Sequence, residues 1–143
     1  MLRLRILLNA VMLAGVGFCI QAPSGAQITN QIRVTMSHAF VIGNSTLPPG
    51  EYDFRMVSNS DMSVMTVRSV TGNESVEFLV RQSEADHIPQ HTELVFNRYG
   101  NDEFLRRIFE KGNRHGVTVE EPSREEVRLQ KEGQHGIEHT ETQ

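Results

Sequence analysis

Cysteine is almost absent from this chain of 143 residues, and tryptophan is absent altogether. The single cysteine, Cys19, lies within an apolar N-terminal segment, so no thiol follows it. Disulfides, thiol catalysis and cysteine-based metal sites are therefore excluded from the rest of the chain. Here apolar packing and backbone pairing must hold the fold alone.

Long hydrophobic runs are also lacking, apart from one at the N-terminus. Residues 1–5 are basic, 6–20 are mostly apolar, and 21–26 are small and polar. This order is typical of a cleaved secretory signal peptide, because a membrane-spanning helix needs about 20 apolar residues. The small residues that end the segment predict cleavage near Ala26 and a periplasmic or extracellular location. Bulky Phe18 before Cys19 disfavours a lipid anchor.

An excess of basic charge is lacking as well. Cleavage after Ala26 leaves residues 27–143 and, by removing Arg3 and Arg5, takes the formal charge from −4 to −6. Such a chain has the length of one domain with a modest core. Its acidic balance disfavours nucleic acid as a partner, since phosphate backbones attract basic surfaces.

What the sequence does contain is an alternation of apolar and polar residues with a period of two. From Ile32 to Ile42 every second residue is apolar except His38, as expected of a strand with one buried face. Further strands are predicted at 51–57, 62–68, 75–81, 92–99, 103–109 and 115–119, separated by turns rich in Gly, Pro and Asn. The fold class predicted is mainly β, a small antiparallel barrel or sandwich at residues 27–121.

The C-terminal part loses this alternation. Ser123 and Glu126 form a Ser-x-x-Glu capping box, which predicts a short helix within 122–132, from Arg124 to Lys131. Residues 133–143 contain one apolar side chain, Ile137, and are predicted to be a disordered tail.

Three sequence blocks resemble a group of small exported bacterial proteins that has no assigned activity. The first is Phe40-Val-Ile-Gly-Asn-Ser-Thr-Leu-Pro-Pro-Gly-Glu-Tyr52, similar to their Phe-Val-Val-Gly and Leu-Pro-Ala-Gly-Glu-Tyr blocks. The others are residues 95–100 with Phe104-Leu105, and residues 123–129. The resemblance implies a secreted, mainly β domain. Ser37-His38 departs from it, because similar sequences tend to have Pro-Phe there.

Arginines on one predicted hairpin are the candidate binding residues. Arg98, Arg106 and Arg107 flank the turn at Gly100-Asn101, and grouped guanidinium groups can hold a carboxylate or phosphate. The alternative is a solvated face in which they pair with neighbouring carboxylates. Neighbouring residues of a strand point to opposite faces, so Arg106 and Arg107 should lie on different sides of the sheet. Only some of the three guanidinium groups of this predicted anion patch would then lie close together.

Histidines provide weaker candidates. His38 is interpreted as a core or edge residue rather than a catalytic base, because no G-x-S-x-G or other nucleophile motif accompanies it. The pairs His87/His91 and His135/His139 have helical metal-ligand spacing, but Pro89 opposes a helix in the first pair and the second lies in the predicted tail. We therefore predict no metal site and no cofactor.

These observations favour a binding protein over an enzyme. The leading hypothesis is an exported, non-enzymatic β domain that binds a protein or glycan partner at the cell envelope. One alternative is a small barrel that carries an apolar ligand, and another is a hydrolase that uses His38. An integral outer-membrane barrel is disfavoured, because the predicted strands are short and carry charged residues on their outer face.

Overall fold

The computed structural model describes residues 31–59 and 62–143, and it confirms a mainly β chain with one short helix. The predicted signal peptide, and Ser60-Asp61 of one predicted turn, lie outside the described residues. The strands are β1 (Ile32–Met36), β2 (Phe40–Ile42), β3 (Ser45–Leu47), β4 (Gly50–Asn59), β5 (Met62–Ser69), β6 (Ser75–Glu84), β7 (Glu93–Tyr99), β8 (Asp102–Phe109), β9 (His115–Val119) and β10 (Ile137–Thr142). The helix α1 spans Arg124–Lys131.

The strands form one mixed sheet that is not closed. Its order runs β1-β4-β5-β6-β9-β8, and β7 and then β10 continue it beyond β8. The β2–β3 hairpin joins β8 through the parallel pair Val41 and Phe104; the other pairings are antiparallel. Within the described ranges no backbone pairing links β1 to β10. Instead the side-chain Oε1 of Gln143 accepts a hydrogen bond of 2.9 Å from the backbone N–H of Thr35.

The predicted alternation places the core correctly, although the first strand is interrupted. Five of its inward residues are buried: Ile32, Val34, Met36, Phe40 and Ile42. The chain leaves β4 after Met36 and resumes beside β3 and β8 at Phe40, so one predicted strand becomes β1 and β2. His38 lies in this interruption, with 30% of its side chain exposed.

Side chains fill the interior of the sheet. Phe40, Phe54, Met65, Phe96 and Ile108 are completely buried. The Phe40 ring contacts Tyr52 edge-on, with 5.3 Å between ring centroids. Burial of each large apolar side chain contributes about 1.5–3 kcal/mol, so these contacts replace the disulfides that the chain lacks.

The helix covers part of the outer surface. It begins at the residue that the capping box indicates, and the Ser123 hydroxyl accepts a hydrogen bond of 3.0 Å from the Glu126 backbone N–H. Leu129 packs on Tyr99 and Phe104, which belong to β7 and β8. The helix therefore lies against the strands that carry the predicted arginine patch.

The prediction of a disordered tail is wrong for Ile137–Thr142, which form β10. This strand pairs with β7 along its whole length, from Ile137 opposite Arg98 to Thr142 opposite Glu93. Backbone hydrogen bonds to an exposed sheet edge need no apolar face, and Ile137 remains 71% exposed. A hydrophobic pattern therefore could not reveal this strand. In the same way, the Gly- and Pro-rich residues 43–50, which separate the first two predicted strands, contain the short strand β3.

Candidate functional site

Five titratable side chains meet at the unpaired seam between β1 and β10. We call them the seam cluster: His38, Arg98, Glu103, His139 and Glu141. Gly100, with φ of 62°, makes the tight turn that places Arg98 opposite Glu103 across β7 and β8. His139 and Glu141 lie two residues apart on β10 and so share a face.

Glu103 is the centre of the cluster, and only 5% of its side chain is exposed. Arg98 donates a hydrogen bond to Oε1, and His139 Nδ1 lies 3.0 Å from the same oxygen. Burial alone would raise the pKa of this carboxyl. The hydrogen bonds from Arg98 and His139, with the charge on the nearby imidazoles, outweigh burial and hold the pKa of Glu103 below its ordinary value.

His38 lies between two carboxylates. Its Nε2 is 2.8 Å from Glu103 Oε2, and its Nδ1 is 3.2 Å from Glu141 Oε1. The Nε2 atom is buried and is not aligned for a hydrogen bond despite this short contact. Ser37 Oγ is 3.4 Å from Nδ1. Carboxylates therefore face both ring nitrogens of His38.

The three arginines of the predicted patch lie close to carboxylates of the chain itself. Arg98 pairs with Glu103, Arg106 Nη1 lies 3.9 Å from Glu126 Oε2, and Arg107 pairs with Glu138. Each arginine therefore has a different acidic neighbour, and only Glu103 lies directly across the predicted hairpin from its arginine.

The prediction that Arg106 and Arg107 point to opposite faces is wrong. A bulge interrupts the pairing of β7 with β8, where Val95 lies opposite Arg107 and Phe96 opposite Leu105. Leu105 and Ile108 both join the core, so the two intervening arginines lie on the outer side. An extra residue in one strand changes the alternation in this way.

The histidine pairs that have helical spacing are separated by the fold. His87 contacts Glu93 at 3.1 Å, and His91 and His135 are exposed. His139 alone joins the seam cluster. Sequence reasoning missed the grouping of His38 with Glu103 and Glu141, because the three residues belong to distant segments. The one available signal was a polar ring at an inward position of the first strand.

A second candidate surface is a groove of about 480 Å³ on β4 and β5. Its lining consists of Asp53, Arg55, Met56, Val57, Thr66 and Arg68. Arg33 donates two hydrogen bonds to the Asp53 carboxylate, at 2.8 and 3.0 Å, and these lower the pKa of Asp53. Arg55 and Arg68 have no ion-pair partner within residues 31–59 and 62–143. Both are exposed, and Val57 beside them is 38% exposed.

No protein-family model, curated protein or solved structure matches this chain. In the part of the chain that the structure describes, no helix has the length and apolar character needed to cross a bilayer.

Proposed function

We propose that this chain is an exported, non-enzymatic β domain that binds a partner protein at the cell envelope through the β4–β5 groove. The observation that carries the proposal is the pair of exposed arginines, Arg55 and Arg68, beside exposed Val57 on a chain of net negative charge. Export rests on the leader at residues 1–26, which lies outside the described residues, and on the resemblance to exported bacterial proteins.

Charge determines which partner fits the groove. Arg68 lies opposite Asp53 in the strand register, but the Asp53 carboxylate is bonded to Arg33. Arg55 donates a hydrogen bond to the side-chain oxygen of Gln31, a neutral acceptor, whereas Arg68 has no side-chain partner within the described residues. Neither guanidinium group is neutralised by a carboxylate of the described chain, so a carboxylate from outside can pair with Arg68 and compete with Gln31 for Arg55. Exposed arginine beside apolar side chains is characteristic of protein interfaces. We expect the partner to offer an acidic residue next to an apolar one.

The filled interior supports this proposal over an apolar-ligand carrier, because completely buried phenylalanines occupy the space that such a ligand would need. The environment of His38 supports it over a hydrolase, since carboxylates face both ring nitrogens. The groove lining contains Met56 and Val57 and no aromatic ring. We therefore favour a protein partner over a glycan.

Site-specific photo-crosslinking in cells tests the proposal. A photoreactive residue replaces Thr66 in the groove, and the matched control replaces Thr118 on β9, which is also half-buried. We expect a discrete protein adduct from position 66 and none from position 118. The charge reversals Arg55→Glu and Arg68→Glu should abolish the adduct, whereas Arg81→Glu on β6 should leave it unchanged.

Three outcomes would refute this assignment of the groove. They are the absence of an adduct at position 66, an adduct that survives both charge reversals in the groove, and a captured glycan instead of a protein. Circular dichroism and thermal melting of each variant distinguish lost binding from lost folding.

A further inference from the structure

Three members of the seam cluster have the donor atoms of a metal site. His38, Glu103 and Glu141 each offer one ligand atom, and these atoms all lie within 4.8 Å of one another. Zinc ligands at about 2.0–2.2 Å from the ion, in tetrahedral geometry, are about 3.3–3.6 Å apart. An imidazole gives an ion one of its two nitrogens. His38 Nε2 lies 2.8 Å from Glu103 Oε2, close to that spacing, whereas the 3.2 Å contact of Glu141 is with Nδ1. Binding through Nε2 would therefore require the Glu141 carboxylate, which lies within the 4.8 Å range, to shift towards the ion.

The two oxygens of Glu103 have different neighbours. Arg98 donates to Oε1, whereas Oε2 lies 2.8 Å from His38 Nε2 and 3.2 Å from His139 Nδ1, which is also 3.0 Å from Oε1. Groups that hold a ligating carboxylate in this way orient it and raise metal affinity. The buried Nε2 of His38 has no aligned hydrogen-bond partner within the described residues, so a ligand there would satisfy it.

From this geometry we propose that the seam cluster binds a divalent transition metal ion such as Zn²⁺ through His38, Glu103 and Glu141. One imidazole with two carboxylates suits zinc, whereas Ca²⁺ and Mg²⁺ prefer oxygen ligands alone. The carboxylates of Glu103 and Glu141 supply the negative charge that a cation needs, against the single guanidinium of Arg98. Three protein ligands leave one tetrahedral position for water.

A bound ion would also connect segments on the two sides of the seam in the open sheet. His38 lies between β1 and β2, Glu103 belongs to β8, and Glu141 belongs to β10. β2 pairs with β8, but neither β1 nor β2 has a backbone pairing with β10 in the described ranges. The ion would therefore link the C-terminal strand to the first strands, at the position where a closed barrel would have hydrogen bonds.

Calorimetric titration of the purified, tag-free chain with Zn²⁺ at neutral pH tests the site. We expect one ion per chain, and a loss of affinity of about tenfold or more in Glu141→Gln and His38→Asn. The matched control is Glu138→Gln, on the same strand but paired with Arg107, which should keep the affinity of the wild type. His87→Asn controls for zinc at the exposed His87/Glu93 pair.

Cobalt provides a second measurement that does not depend on stability. Co²⁺ in the site should give visible absorption bands that Glu141→Gln weakens and Glu138→Gln does not, while circular dichroism shows that both variants are folded. The proposal is overturned if no ion binds, or if Glu141→Gln and Glu138→Gln lose zinc affinity equally. It is also overturned if only His87→Asn loses zinc affinity, because the chain would then bind an adventitious ion only. None of these results bears on the β4–β5 groove, whose variants leave the seam cluster intact.

Discussion

At the scale of single residues, Glu103 illustrates how environment decides the role of a carboxylate. It is one of the few charged side chains that the sheet buries, and Arg98, His139 and His38 surround it. Strand alternation gave no reason to single it out. Its position opposite Arg98 follows from a local hairpin, but its contacts with His38 and His139 follow from the approach of distant strands.

Replacing this carboxylate should lower the stability of the fold more than replacing the exposed carboxylate of Glu138 on β10. Glu103→Gln removes the charged acceptor of Arg98 and His139, so we expect a loss of about 1–3 kcal/mol in the free energy of unfolding. Glu138→Gln, at a side chain that is 61% exposed, should change it by less than about 0.5 kcal/mol. Urea unfolding with a metal chelator present measures both values. Equal effects would contradict the central role of Glu103.

Asp53 should make the free energy of unfolding depend on pH in the acid range. Its hydrogen bonds from Arg33 lower its pKa below the ordinary value of 3.8, so the folded state resists protonation more than the unfolded state does. The stabilisation is fully present above pH 3.8 and is lost as the pH falls through the lower pKa of the folded state. The difference in urea midpoint between the wild type and Asp53→Asn should therefore shrink in acid.

The matched control for this pH effect is Asp86→Asn, since Asp86 is exposed and has no ion pair in the described ranges. The difference in urea midpoint between Asp86→Asn and the wild type should not change with pH in the same interval. A constant difference for Asp53→Asn as well would exclude the Arg33 contact as the cause.

At the scale of elements, two strands depart from simple patterns for different reasons. The bulge in β8 adds one residue between Leu105 and Ile108, so two arginines share the outer side. β10 has no apolar face and is held by its pairing with β7. In both cases the partner strand, rather than the local sequence, determines the conformation.

Amide hydrogen exchange distinguishes β10 from a disordered tail. Amides that bond to β7 within residues 137–142 should exchange more slowly than those of residues 135–136, which no regular element contains. Mass spectrometry of C-terminal peptides measures the two rates. Exchange of residues 137–142 at the rate of an unstructured peptide would contradict the pairing.

At the scale of the whole molecule, an almost cysteine-free chain depends on one apolar core. Eighteen buried residues form the main cluster, and they come from β1 to β9. Two smaller clusters lie outside it, one of them beneath the helix. Since the core joins strands from nearly the full length of the described chain, it positions both the seam cluster and the β4–β5 groove.

The predicted export signal has a direct test in the mass of the mature chain. Cells of the source organism should release a protein that begins at Gln27, because the small residues before it suit a signal peptidase. Ala26→Leu should slow the cleavage, and Ala22→Leu should not. Retention of residues 1–26, or a lipid on Cys19, would contradict the prediction.

Periodicity by itself predicted most of the core and the mainly β class, because alternation of side chains is a local property of an extended chain. The Ser123 capping box likewise indicated the start of α1. The local sequence did not predict β10, the bulge in β8, or the meeting of His38 with Glu103 and Glu141. These depend on which strand edges come together, and only the tertiary structure decides that, since backbone groups and distant side chains leave no pattern along the chain.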